Sequence, residues 1–418
     1  MKYSILILCA GILISLSACN KTGESEKKTD AILFEAAFSN PVKLKASDCF
    51  KKIRYIPLET SDSCLIGRNA DVRLFGDKIM VTSSPKQCMV FDRNGRFISS
   101  VGHVGDDPEG YSQTKNWIDE RTGVLYFKGW NGNLIAYEDN GAYKSSIPIP
   151  GSVKTVSGEF EFLSDGTMIQ YTNDMFTDND YLLFFKNDKV VKKMEGVSYE
   201  KDSVKFNPSD IQSISVMKGE SMPEAMPVSL GSILIMKFKD SDKGLVYPME
   251  ASCLWRVEDD VFFKPVYNDT IYQVVDTALI PVRFFDLGKH HWEYRDRFNM
   301  KHKDGVLISQ ILDSRKLMLS RILTNVFDKL TSYNAVFDKA TGVLKVGEYK
   351  DGFEDDLTHF IPLQPNSVST TGEYASLLPA EKIITWFDEN KNSTDLPEDV
   401  ECLKQIGEED NPVVVIME

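Results

Sequence analysis

The sequence predicts an all-β fold, a six-bladed β-propeller of four-stranded antiparallel blades. Three observations carry it: apolar residues recur with period two, Asn/Asp/Gly turns separate the runs, and one strand–turn–strand unit repeats. The runs are rich in β-branched and aromatic residues, which suit a pleated, half-buried surface. In chain order they include Ile53 to Leu58, Lys78 to Thr82, Cys88 to Asp92, Val124 to Lys128 and Leu134 to Glu138, then Phe160 to Leu163, Tyr181 to Phe185, Ser232 to Phe238, Thr270 to Val274 and Tyr333 to Asp338. Arg93-Asn94-Gly95, Asp139-Asn140-Gly141, Ser164-Asp165-Gly166 and Ala340-Thr341-Gly342 supply residues that accept positive φ and match strand twist.

The repeated unit reads Val90-Phe91-Asp92-Arg93-Asn94-Gly95-Arg96-Phe97-Ile98, with echoes at Ala136 to Tyr143 and Val336 to Leu344 and a weaker one at Phe184 to Val190. Its aromatics at 91, 137 and 185 are 46 and 48 residues apart, and Phe91 to Phe337 spans 246 residues, five steps averaging 49. Steps of that size fit four-stranded propeller blades, and five steps make six units. A propeller seals its first blade to its last or leaves two open sheet edges. The end strands Ile53 to Leu58 and Pro412 to Met417 are therefore expected in one sheet. The apolar run Val413 to Ile416 fits a strand covered on both faces. His291 to Asn299 reads as a small helical insertion, Leu307 to Thr324 as strands, and residues 352–400, rich in Pro and Asp, as a long surface excursion.

Residues 1–18 read as a signal peptide: Lys2 precedes a twelve-residue apolar stretch from Ile5 to Leu16, short of the roughly 20 residues a membrane span needs. It ends in Leu16-Ser17-Ala18-Cys19, which resembles the lipobox of bacterial lipoproteins, with Cys19 as the lipid attachment site. Residues 19–40 are expected to be a lipidated flexible stalk, because Asn20 to Asp30 hold almost nothing apolar. Residues 41–418 form the propeller. Asn20 after the cysteine, by resemblance to the sorting rule of Gram-negative lipoproteins, implies the outer membrane. The membrane is thus the first expected partner, reached through the N-terminal lipid.

The formal charge is −14, and removing residues 1–18 with their single Lys makes it −15. So acidic a chain repels phosphate backbones, so no nucleic-acid partner is expected. Beyond Cys9 and Cys19, five cysteines remain, an odd number without C-x-x-C spacing, expected as buried free thiols; a Cys49–Cys64 bridge is the alternative. The mature chain is expected to be a monomer.

Few motifs carry chemistry. Gly102 to Tyr111 and Asp92 to Gly95 hold acids and glycines but lack calcium-loop spacing, and read as turns. Asp269 and Thr270 are expected to bond backbone amides at a strand start. The histidines at 103, 290, 291, 302 and 359 form no metal-binding pattern, and neither a nucleophile elbow nor a phosphate-cradling loop is present. No metal and no cofactor are expected. The two ligand-binding candidates are Trp130, which Gly129-Trp130-Asn131-Gly132 sets in a turn, and His103.

Several segments together resemble the six-bladed β-propeller lipoproteins of Bacteroidetes. These are Ile53 to Thr60 with Cys64 to Gly67, Val90 to Asp92 leading into Val101 to Tyr111, and Asn268 to Tyr272. Pro281 with Phe285 to Gly288, and Glu409 to Ile416, complete the set. Asp107-Pro108-Glu109-Gly110-Tyr111 departs from the family's usual Gly-Pro-Gly-Glu-Tyr. The resemblance implies a propeller in the cell envelope and transfers no activity. The expectation is an outer-membrane-anchored lipoprotein that binds a ligand, glycan or envelope protein, with no catalysis. The alternative is a propeller-borne hydrolase or lyase acting on a glycan. Clustered carboxylates among the inner residues would favour the enzyme, and an aromatic and polar rim would favour binding.

Overall fold

The computed structural model describes residues 30–418 apart from 85–86, 151–157, 175–178, 197–206, 219–231, 241, 249–252, 302–304, 392 and 394–395. The signal segment and Cys19 lie outside the described residues. Strands dominate, and the predicted runs are strands throughout. The first sheet comprises Arg68–Phe75, Lys78–Ser84, Gln87–Asp92 and Phe97–Ser100, and the second Asn116–Asp119, Val124–Lys128, Asn133–Tyr137 and Tyr143–Pro148. Glu159–Phe162, Met168–Asp174, Asn179–Lys186 and Lys189–Glu195 make the third, and Ile211–Lys218, Ser232–Phe238 and Gly244–Pro248 a three-stranded fourth. The fifth holds Leu254–Val257, Asp260–Phe263, Thr270–Val275 and Ala278–Asp286, and the sixth Leu307–Asp313, Leu317–Thr324, Thr331–Asp338 and Val343–Glu348. Within each of these sheets neighbours pair antiparallel, strand following strand in chain order. The four predicted turn glycines at 95, 141, 166 and 342 have φ of 82°, 85°, 85° and 71°.

The seventh sheet joins the C-terminal strand to one from the N-terminal part of the chain, in the order Ser367–Val368, Tyr374–Leu378, Val413–Met417, Ile53–Pro57. Ile53 pairs with Met417 and Pro57 with Val413, antiparallel. Val413, Val415 and Met417 pack toward Leu312, Leu319 and Val336 of the sixth sheet. Their alternate neighbours Val414 and Ile416 pack toward Val72, Leu74 and Val81 of the first. Both faces are covered, which is why the strand is apolar at every position. Asn411 locks the seam: Oδ1 accepts the Ile66 N–H at 2.8 Å, and Nδ2 donates to the Glu59 and Cys64 carbonyls at 2.6 and 2.7 Å.

The described residues build seven sheets of three to five strands, the fourth of them three-stranded. Three expectations need correction. His291 to Asn299 is not a helix but carries one 3-10 turn, Tyr294–Asp296. Residues 352–400 are no surface excursion, since they supply two strands of the seventh sheet and the helix Ala380–Glu389. Ile383 of that helix is buried, and Trp386 and Phe387 pack against the same core beside Phe360. Finally, part of the predicted stalk is structured: Asp30–Leu33 adds in parallel to Ala278–Asp286 at the edge of the fifth sheet, burying Ile32, and Glu35–Ser39 is a short helix.

Adjacent sheets share cores of interlocking side chains, as between Val90 and Phe127, or between Trp117 and Phe160. The first strands meet at close range. Arg73 donates to the Asn116 carbonyl at 3.1 Å, linking the first sheet to the second. Glu159–Phe162 lies beside both Asn116–Asp119 and Leu254–Val257, so the fourth sheet does not come between the third and fifth there. Leu307–Asp313 in turn lies beside Leu254–Val257 and Ser367–Val368, and the latter beside Arg68–Phe75. The five remaining cysteines are free thiols: 64, 88 and 253 are buried as expected, Cys49 is half-buried and Cys402 exposed.

Candidate functional site

Both sequence-predicted ligand candidates come together at one loop, His103 on it and Trp130 reaching it from a turn of the second sheet. The connection from the first sheet to the second runs through Val101 to Tyr111, anchored by the Tyr111 ring stacked 4.2 Å from Phe127 and by its hydroxyl donating to the Val101 carbonyl at 2.9 Å. Gly102 turns the chain with φ +55°, where a Cβ would meet the Tyr137 ring at 2.4 Å. Beyond it the Asp107 carboxylate accepts the Glu109 and Gly110 N–H groups, both at 3.0 Å, and meets His103 Nε2 at 2.5 Å. The His103 hydrogen bond is the main reason the Asp107 carboxyl sits below its ordinary pKa. Trp130, in the turn between the middle strands of the second sheet, donates its indole N–H to the Gly105 carbonyl at 2.6 Å. Gly105 also packs against His103 and Asp107. The indole is 52% exposed, yet its orientation is fixed. An immobilised aromatic face beside an imidazole–carboxylate pair can stack a flat ring and hydrogen-bond its substituents.

The other tryptophans serve the core. Trp117 and Trp292 are buried, Trp386 packs against Phe360, and Trp255 donates to the Asp313 carboxylate at 3.1 Å. His302 lies outside the described residues. The expectation for Asp269 is corrected: Asn268 caps the Thr270 N–H at 2.8 Å, while the Asp269 carboxylate takes His291 Nδ1. That hydrogen bond raises the His291 pKa.

A second constellation gathers at the opposite ends of the first strands. The turn between Ser367–Val368 and Tyr374–Leu378 places Thr370 so that its hydroxyl donates to Glu120 of the second sheet. Its carbonyl accepts the Glu258 N–H of the fifth sheet at 2.9 Å. One turn thus bridges sheets that are not its neighbours. Beside it Arg256 Nε lies 3.4 Å from Glu161, and its Nη2 has no hydrogen-bond partner among the described residues. Burial pushes the Glu161 carboxyl up to about 7 against the pull of Arg256, and also raises Glu120, tempered by Thr370. Sequence reasoning missed this group. Its members stand 41, 95 and 114 residues apart at 120, 161, 256 and 370, with no local pattern to join them. A repeat fold alone brings such positions together.

The family model described as a domain of unknown function, DUF4934, matches residues 29–418. The chain belongs to the DUF4934 family. The match begins one residue before the described structure, so the strand Asp30–Leu33 is part of the DUF4934 unit. No curated protein matches the sequence. Among solved structures, a Bacteroides fragilis protein described as exported aligns with a TM-score of 0.60 at 15% identity, covering 93% of this DUF4934 chain and 99% of that one. That similarity is one of fold. The WD40 β-propeller domain of Doa1 aligns at 11% identity with a TM-score of 0.33, over 78% of this chain and 94% of that one.

Proposed function

We propose that this DUF4934 protein is an exported, lipid-anchored six-bladed β-propeller that binds a ligand of the cell envelope and catalyses nothing. The succession of first strands supports six blades. It passes from the first sheet through the second, third, fifth, sixth and seventh back to the first, with the three-stranded fourth sheet outside it. Pairing of Ile53–Pro57 with Val413–Met417 supports closure of that ring within its last blade. The Leu16-Ser17-Ala18-Cys19 segment supports a lipoprotein of the outer membrane, and the Bacteroides fragilis protein of similar fold, described as exported, supports export alone. No helix among the described residues is long and apolar enough to cross a membrane.

The exposed, hydrogen-bonded indole of Trp130 carries the binding reading. A sugar ring is the chemistry that such a platform takes, with His103 and Asp107 placed to contact its hydroxyls. A glycan array probed with residues 30–418, followed by titration of any hit against Trp130→Ala and His103→Ala, tests this. Hits lost in Trp130→Ala, with the melting temperature unchanged, are expected. Hits indifferent to both substitutions would overturn the placement of the site.

The Glu120–Glu161 pair favours a second reading, a glycan hydrolase or lyase, because a carboxyl titrating near neutrality suits general acid catalysis. The binding reading is preferred because both carboxylates have internal partners, Glu120 in Thr370 and Glu161 in Arg256. Hydrolysis of an envelope or dietary glycan by the wild type, abolished in Glu161→Gln, would establish the enzyme instead.

A further inference from the structure

We propose that the sixth sheet holds a monovalent anion of chloride size on the buried guanidinium of Arg321. Three polar side chains stand in register across this sheet: Gln310 opposite Arg321, and Arg321 opposite Asn334. Their strand neighbours Leu312, Leu319 and Val336 belong to the core shared with the seventh sheet. An arginine keeps its charge at any physiological pH. Left unpaired in such a place it is strongly destabilising.

Arg321 is 3% exposed and has no carboxylate partner among the described residues. Among the described residues its Nε and Nη1 have no hydrogen-bond partner, and Nη2 makes only a 3.5 Å contact with Asn366 Oδ1. The Tyr349 ring, 4.4 Å away, covers the guanidinium without neutralising it. Nδ2 of Asn334 is likewise a buried donor without a partner among the described residues. Buried donors normally find acceptors, and here three unsatisfied donors belong to residues lining the same small cavity. Gln310, Ser320, Phe353 and Pro365 are also among its lining residues, and it leaves about 10 Å³. That is room for about one water-sized sphere, so a monatomic anion fits with slight adjustment. A halide supplies the acceptor and the countercharge together.

The test uses residues 30–418 in sodium chloride, sodium bromide or sodium gluconate at one ionic strength. The melting temperature is expected to rise with chloride or bromide, by on the order of 2 °C for each tenfold increase above the dissociation constant, and not with gluconate. Arg321→Leu removes the halide dependence while the protein still melts cooperatively. Should that variant fail to fold, wild-type crystals grown in bromide decide the matter, with an anomalous peak expected within about 3.5 Å of the Arg321 guanidinium. Identical melting in the three salts, or bromide crystals without that peak and with only a water there, would overturn the proposal.

Discussion

Asn411→Ala tests how Val413–Met417 and Ile53–Pro57 are held in one sheet. The native side chain makes three hydrogen bonds, one accepted from the Ile66 N–H and two donated to the Glu59 and Cys64 carbonyls, all between 2.6 and 2.8 Å. Asn411 is 5% exposed, so alanine leaves those backbone groups with little access to water. At a net value of roughly 1 kcal/mol per bond, the loss is about 3 kcal/mol, and more if the Ile66 N–H stays unpaired. With an unfolding entropy of about 2.1 cal/mol/K per residue, that lowers the melting temperature of a domain this large by about 4 °C. Asn411→Asp separates the contributions. It retains the acceptor for Ile66 but sets a carboxylate against two carbonyls, and should be at least as damaging as alanine. Calorimetry and urea denaturation of the two variants provide the measurement. A melting temperature within 1 °C of wild type for both would refute the staple and leave strand pairing alone to hold the seam.

Gly102→Ala must adopt φ +55° and meet the Tyr137 ring at 2.4 Å. A loss of roughly 2–4 kcal/mol is expected, with a shift in Trp130 fluorescence as the loop beneath it moves. For Glu161, whose folded-state pKa of about 7 lies above the ordinary 4.5 of a glutamate, the protonated form favours folding. Its contribution is complete below pH 4.5 and lost as the pH rises through 7, so Glu161→Gln should show a shallower fall in stability across that window. Parallel pH profiles of wild type and variant would refute the assignment. Cys19→Ala should move the protein from the membrane to the soluble fraction and abolish incorporation of labelled acyl chains. Unchanged fractionation and labelling would exclude the lipid anchor.

Local pattern was sufficient for the strands and their turns, because side-chain alternation and positive-φ glycines are properties of a few consecutive residues. The runs at Val124–Lys128 and Ser232–Phe238 coincide with the strands residue for residue. The uninterrupted apolar run near the C-terminus likewise implied a strand covered on both faces, as Val413–Met417 is. Trp130 and His103 were legible as candidates because each sits among turn glycines, where a large or titratable side chain has no packing reason to be. Their meeting at Gly105 was not, since it depends on how the 101–111 loop folds back toward a turn of the next sheet. The number of sheets was also beyond an average spacing, which cannot distinguish a three-stranded sheet from a four-stranded one. The buried groups were least legible of all. Whether Glu161 meets Arg256, and whether Arg321 meets any acid, is decided by which sheets lie side by side, and charge and desolvation act through space without regard to sequence separation.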